Sequence, residues 1–458
     1  MGKKFDFEFI VIGSGPAGSA AALDLARAKK RVAIVEANRF GGSNLNTRDI
    51  PERAGMYFSH LYANLRDSAK FGLTAMNLNF NYPTLAGWKE YVISEAGGDK
   101  RRIYEESGIT CIRGYANFLD GHTIAVGDRK YTASKFILAT GSELTTGGIS
   151  GVESVNYLTP ETATTLRRAP RAVVVVGGGA AGCEIAEHYA ELGAKVLIME
   201  MSGRLLPRED KEVGETLANY FTNKLGMMVL TGSRVVALEQ DDQGKKVIFV
   251  NNGNEKMVRV ETVVLATGYQ PTLDYGLQNA GVKFRKTGII VDKTLQTTAK
   301  NIWAVGDAIG GESSTERANY QGSFLANSLL SRSKTLLNYS GFMRTIKTLP
   351  EIAVVGMNED DLIKRDRKYN KVVVPLSDVT ASKITDFSDG FVKLIADKSG
   401  KIVGATIMAP EAELMAGEIA VAVRHRLSAL EIASTPHAIN SFAMAVKLAA
   451  KRLVKNQR

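Results

Sequence analysis

Twice along this chain a short β-rich apolar run leads into a glycine-rich turn, an alanine-rich helical stretch and a second apolar run that ends on a glutamate. The first copy is FEFIVI at 7–12, GSGPAG at 13–18 and RVAIVE closing at Glu36; the second is AVVVV at 172–176, GGGAAG at 177–182 and KVLIME closing at Glu200. An apolar run, a glycine turn, a helical period and a second apolar run read as strand, turn, helix, strand. Two copies predict an α/β chain with two Rossmann-like dinucleotide-binding domains. At about 150 residues per domain, 458 residues leave room for one more.

The glycines of each turn have separate tasks. Gly13 and Gly177 make the tight turn, Gly15 and Gly179 let the backbone approach a pyrophosphate, and Gly18 and Gly182 let helix and strand pack closely. The phosphate then meets a helix N-terminus, where free N–H groups and the dipole favour negative charge. Glu36 and Glu200 each lie 23 positions after the first glycine of their turn, close to the spacing of an acid that grips a ribose diol. An acid at Glu200 also repels a 2′-phosphate, so NADH is expected over NADPH. Arg204 argues the other way, because it could reach such a phosphate.

With 45% hydrophobic and 23% charged residues, a disordered or collagen-like chain is excluded. The longest uncharged apolar stretch, residues 172–183, has 12 residues, short of the roughly 20 that span a bilayer. No transmembrane segment is expected, and Asp6 and Glu8 interrupt the N-terminal apolar run that a signal peptide would need. The two cysteines, Cys111 and Cys183, stand 72 positions apart, neither a disulfide framework nor a metal spacing. A cytoplasmic setting and no metal site are expected. The net charge of +10 draws on Lys447, Lys451, Arg452, Lys455 and Arg458, read as the solvated face of a last helix with an acidic partner or membrane surface as the alternative. No nucleic-acid partner is expected.

Further segments follow in order: GGSNLNTRDIP at 41–51, ATG at 139–141, EMSGRLLPRED at 200–210, ATGYQP at 266–271, NIWAVGDAIG at 301–310, LPEIAVVGMNE at 349–359 and TPHAINS at 435–441. With the two glycine turns, they make the chain resemble, nearly end to end, the flavoprotein disulfide reductases, the family of dihydrolipoamide dehydrogenase, glutathione reductase and mercuric reductase. The resemblance implies an FAD-binding domain at 1–150 resuming at 276–340, an NAD(P)-binding domain at 151–275, and a C-terminal α/β dimerisation domain at 341–458 that makes a homodimer. It implies that Gly42, Gly141, Gly268 and Gly306 shape cofactor-binding turns, that Asp307 binds the ribityl hydroxyls of FAD, and that Glu184 sits near nicotinamide and flavin. Taken alone, Glu184 reads as an acid complementing a helix dipole.

The chain departs from that family where its redox chemistry lies. The family's CxxxxC positions carry Asn44 and Asp49, and neither can take part in thiol–disulfide exchange. Cys183 reads as a small packed residue, or else as a thiol activated by a helix N-terminus. The family's C-terminal His is matched by His437, but the Glu five positions on is replaced by Phe442, so His437 lacks its orienting carboxylate and reads as a hydrogen-bonding residue rather than an acid or base. The family's lysine that pairs with the nicotinamide-side Glu is Arg53, a cation that could still pair with Glu184. Ala180 stands where many relatives place a bulky gate. The expectation is an FAD-dependent NAD(P)H oxidoreductase, with electrons leaving for a small-molecule acceptor that is not a disulfide: a quinone, a dye, another nicotinamide or dioxygen. The alternatives are a low-turnover FAD-binding structural or regulatory partner, and disulfide chemistry through an unrecognised thiol.

Overall fold

The computed structural model describes residues 4–74, 77–164, 166, 168–331 and 336–456; Arg458 of the basic tail lies outside them. The chain divides into two compact units, Met1–Gly55 with Asn81–Thr145 and Gly268–Asn338, and Met56–Phe80 with Thr146–Thr267 and Tyr339–Arg458.

The first unit is built on strand β1 (Phe7–Ile12), which runs parallel to β2 (Val32–Glu36) on one side and to β6 (Arg129–Leu138) on the other. Strand β3 (Thr110–Arg113) adds parallel to β2, and Ile302–Ala304 adds parallel to the end of β6. The first half of β6 instead pairs antiparallel with β5 (Thr123–Val126), which pairs with β4 (Ala116–Asp120). Phe9, Ile10, Val11 and Ile12 are all buried, as a parallel strand covered on both faces requires. Helix α1 (Pro16–Arg27) opens with proline at its first position, where no N–H is missed. It buries Ala17, Gly18, Ala21, Ala22, Leu25 and Ala26, a stripe at helical spacing. Helix α2 (Asp49–Asp67) begins in the first unit and ends in the second.

The second unit repeats the plan. Strand β7 (Ala172–Val176) pairs parallel with β8 (Lys195–Met199) and with β10 (Thr262–Leu265), and β9 (Met228–Leu230) extends the sheet beside β8. Helix α3 (Ala180–Glu191) follows the glycine turn. Ser233–Asp241, Gly244–Asn251 and Asn254–Val260 form an antiparallel meander before β10. The C-terminal part is a five-stranded antiparallel sheet of β11 (Met343–Ile346), β12 (Glu351–Gly356), β13 (Tyr369–Pro375), β14 (Phe391–Asp397) and β15 (Ile402–Ala409), in the order β11-β12-β15-β14-β13. Helices α4 (Ala412–Arg424) and α5 (Met444–Asn456) pack into its core through Ala416, Ile419, Ala449 and Leu453. Ile346, Ile352, Val354, Phe391 and Met408 of this sheet join one core with Val175, Ile185, Tyr189 and Phe221 of the nucleotide fold.

Lys393 of β14 is fully buried, which a lysine tolerates only when paired. Its ammonium lies 2.7 Å from Asp210 Oδ2, 2.7 Å from Glu359 Oε2 and 3.3 Å from Glu212 Oε2. Among the described residues, no helix is long and apolar enough to cross a membrane.

Candidate functional site: two nucleotide cradles and a substituted segment

In the first unit, Gly13 turns the chain at φ +101°, and a Cβ there would stand 2.1 Å from the Ala139 carbonyl oxygen. A Cβ on Gly18 would stand 2.0 Å from the Gly13 oxygen, whereas one on Gly15 would meet nothing within 4 Å. The turn is closed on the protein side and open at Gly15, ahead of the α1 N-terminus, the shape that admits a diphosphate. Gly42 backs onto this opening, its would-be Cβ 2.6 Å from Gly15 Cα. Glu36, buried at the end of β2, accepts from Ser14 N at 2.9 Å, Ser14 Oγ at 2.6 Å and Asn38 N at 2.8 Å, while Gly41 N donates to Ser14 Oγ at 2.9 Å. Asp307 Oδ2 accepts from Ser142 Oγ at 2.7 Å and Ser313 Oγ at 2.6 Å, and Gly306 N donates to Gln321 Oε1 at 2.6 Å. Gly141 and Gly268 flank two short strands, Ser142–Leu144 and Tyr269–Pro271, that pair antiparallel. The residues present fit a flavin dinucleotide: an open glycine turn, a ribose-side acid and a second carboxylate at Asp307.

The second unit carries the same device. Gly177 turns at φ +109°, and a Cβ on Gly182 would stand 1.9 Å from the Gly177 oxygen, while Gly179 again faces open space. Glu200 accepts from Gly178 N at 2.7 Å and from Ser202 N at 2.6 Å. Residue for residue this repeats the contacts of Glu36 with Ser14 N and Asn38 N. Arg204 is tethered by its own loop, donating to Glu209 O at 3.1 Å and Pro207 O at 3.3 Å, and by Asp360 of a later helix, whose Oδ2 accepts at 3.2 Å. Glu184, just past the first turn of α3, accepts from Lys347 N at 2.6 Å.

The substituted segment is held by its own polar groups. Asn44 Nδ2 donates to Asp49 Oδ2 at 2.8 Å and lies 2.7 Å from Thr315 Oγ1. Arg53, one turn further along α2, donates from Nε to Asp49 Oδ1 at 2.6 Å. Asn44 and Asp49 are thus joined by a hydrogen bond between side chains that carry no sulfur. Arg48 lies over the ring of Tyr269 at 3.7 Å, a cation–π contact that the sequence reading missed, because nothing local pairs residues 48 and 269. Cys111 and Cys183 are free thiols. Burial first, then Glu105, pushes the Cys111 thiol up to about 11; complete burial, with Glu184 and Glu187 adding to it, pushes Cys183 well above the usual thiol range. Cys183 donates to Gly178 O at 3.4 Å, so its helix start does not make it a thiolate.

One expectation is corrected. His437 does not lack a carboxylate: Glu418 of α4 lies 3.1 Å from its Nε2, and Thr435 O lies 2.9 Å from its Nδ1. Both ring nitrogens are engaged within the chain. Glu418 stands 19 positions before the histidine, on a helix the motif does not include, while Phe442 packs against the C-terminal core. Of the basic tail, Lys447 donates to Thr435 O at 2.6 Å and Arg452 to Asp378 Oδ2 at 2.7 Å.

Two nucleotide-binding α/β folds followed by an antiparallel pairing-type domain define a class, the pyridine-nucleotide flavoproteins. Residues 7–322 match the model of the pyridine nucleotide-disulphide oxidoreductases, and residues 343–450 match that family's dimerisation domain. The chain belongs to this family, whose members are FAD-dependent NAD(P)H oxidoreductases, and the dimerisation domain supports a homodimer. It is 30% identical over 444 residues to dihydrolipoyl dehydrogenase of Geobacillus stearothermophilus, covering 94% of this chain and 93% of that one. It is 28% identical to mercuric reductase of Bacillus cereus, covering 97% and 71%. Among solved structures, LpdA of Mycobacterium tuberculosis superposes with a TM-score of 0.87 at 24% identity, covering 97% of this chain and 99% of that one. The HOCl-induced flavoprotein disulfide reductase RclA of Escherichia coli does so with a TM-score of 0.86 at 22% identity, again covering 97% and 99%; at these identities the likeness is one of fold.

Proposed function

We propose that this protein passes electrons from NADH through FAD to an acceptor that is not a disulfide, such as a quinone, a dye, a second nicotinamide or dioxygen. The observation that carries the reading is the Asn44–Asp49 hydrogen bond at the cysteine positions. A carboxamide and a carboxylate cannot form a mixed disulfide or receive an electron pair as a thiol pair does. The high thiol pKa of Cys111 and the burial of Cys183 argue against either cysteine taking over that role.

In this reading Gly13, Gly15, Gly18, Gly42, Glu36 and Asp307 hold FAD, with Gly141 and Gly306 shaping its turns. Gly177, Gly179, Gly182 and Glu200 hold the dinucleotide substrate, with Gly268 at the return to the first unit. FAD, when bound, supplies the two-electron chemistry and the exchange with an acceptor. The chain's own residues orient and screen. Glu200 receives a ribose diol and disfavours a 2′-phosphate, and the tether on Arg204 removes the cation that would favour NADPH. Asp49 and Arg53 form a fixed ion pair at the start of α2, and Glu184 stands on the nicotinamide side. His437 orients the C-terminal segment through Glu418 rather than carrying a proton to substrate. A cytoplasmic homodimer completes the proposal.

Steady-state NADH oxidation with a panel of acceptors tests it. Turnover is expected with a quinone or dye and not with dihydrolipoamide, glutathione disulfide or mercuric ion. Turnover of a disulfide would overturn the reading, and failure with every acceptor would leave a low-turnover flavin-binding partner in its place.

A further inference from the structure

Within the second unit, three ligating side chains converge at a place that no nucleotide contact uses. His60 lies on α2, and Glu187 and Glu191 lie one turn apart on the far half of α3, so both carboxylates share one face. One atom from each, His60 Nε2 and a carboxylate oxygen of Glu187 and Glu191, all lie within 4.8 Å of one another. Glu187 and Glu191 are fully buried, whereas His60 keeps 22% of its side chain exposed.

The His60 imidazole and the two carboxylates lie at ion-pair range, with no hydrogen bond from His60 to either acid. His60 Nε2 stands 3.6 Å from Glu187 Oε2 and 3.8 Å from Glu191 Oε2, beyond hydrogen-bond length. Both His60 Nε2 and Glu191 Oε2 are buried without a hydrogen-bond partner, and such a polar atom demands an explanation. Arg66, the cation nearby, donates to the Glu191 main-chain oxygen at 3.0 Å and pairs its Nε with Asp67. Bonds of about 2.0–2.2 Å to a tetrahedral ion place ligand atoms about 3.4 Å apart, against 3.6 and 3.8 Å from His60 to the two acids and at most 4.8 Å across the group. One imidazole and two carboxylates suit a borderline divalent ion, leaving a fourth position for water.

We infer that His60, Glu187 and Glu191 form a site for one divalent first-row transition ion, with zinc(II) as its probe, that clips the second half of α2 to α3. Leu349 N, which donates to both Glu187 oxygens at 2.9 Å, serves as the outer contact that orients this ligand. The exposed edge of His60 is the entry path.

The test uses the FAD-loaded protein, stripped with a chelator and titrated with zinc(II) against a chromophoric competitor. One zinc per chain is expected at micromolar affinity or better, weakened at least tenfold in His60→Gln and in Glu191→Gln, with a zinc-dependent rise in Tm that both variants lose. X-ray absorption of the zinc-loaded protein should report nitrogen and oxygen ligands. Sulfur in that spectrum, or zinc uptake equal in the wild type and the His60→Gln, Glu191→Gln double variant, would overturn the site. Should the variants not fold, the wild-type stoichiometry and ligand spectrum decide between the two outcomes.

Discussion

At Asp49 a single carboxylate is held from two directions, by the Asn44 amide and the Arg53 guanidinium. In the proposed site its charge opposes the gain of negative charge by the flavin, and Arg53 offsets it. Asp49→Asn should raise the flavin midpoint potential and Arg53→Ala should lower it, each by about 30 mV, or about 1.4 kcal/mol for a two-electron couple, as read by equilibration with a reference dye. Anaerobic NADH titration should end after two electrons per flavin, without the long-wavelength band a thiolate gives. The cysteines should be spectators. With the Cys111 thiol pushed up to about 11, its thiolate fraction at neutral pH is about 300-fold below that of a free cysteine. Iodoacetamide should therefore modify the native protein slowly and leave quinone-linked NADH oxidation intact. Much at this scale was legible in the sequence. Gly13, Glu36, Gly177 and Glu200 were readable because turn chemistry and strand length fix their spacing locally. Glu418 was not, since its meeting with His437 depends on how α4 and the final segment pack.

A helix that starts a few ångströms from a strand tolerates no methyl group at the crossing. In both copies a Cβ on the helix glycine would stand about 2 Å from the oxygen of the turn glycine. Gly18→Ala and Gly182→Ala should therefore each destabilise by about 1–3 kcal/mol, with separable consequences. The first should yield protein with a reduced flavin-to-protein absorbance ratio. The second should retain its flavin and bind NADH more weakly. The fold class was readable at this level because two periodic units repeat. The shared core between the second nucleotide sheet and the C-terminal sheet was not, because Ile346, Val354 and Phe391 read as ordinary apolar strand residues until their neighbours are known. Lys393 likewise gave no local sign of burial, its carboxylates lying 34 to 183 positions earlier. Lys393→Met, which strands those acids, should cost about 3–5 kcal/mol in urea unfolding.

As a whole molecule the chain should be a dimer at micromolar concentration by light scattering, following the dimerisation domain at residues 343–450. Its acid stability should follow Glu359. Burial works to raise this carboxyl, but hydrogen bonds from Lys371, Lys393 and Tyr369 outweigh it and bring the group down to about 2. Because the folded value lies below the unfolded one, that stabilisation is present above about pH 4.5 and is lost as the pH falls towards 2. Glu359→Gln should flatten the urea midpoint over that window. The two cradles share a main-chain plan but place Ser14 in one where the other has Gly178. Ser14 binds Glu36 and also receives Gly41 N, whereas Gly178 offers Glu200 its main chain alone. The first loop is thereby joined to the following segment through a side chain, whereas the second is joined through its main chain, Leu206 N donating to Gly178 O at 2.8 Å. Under the proposed function, that side-chain fastening belongs to the cradle whose nucleotide stays through every turnover, and the glycine in its place belongs to the cradle whose nucleotide leaves after each one.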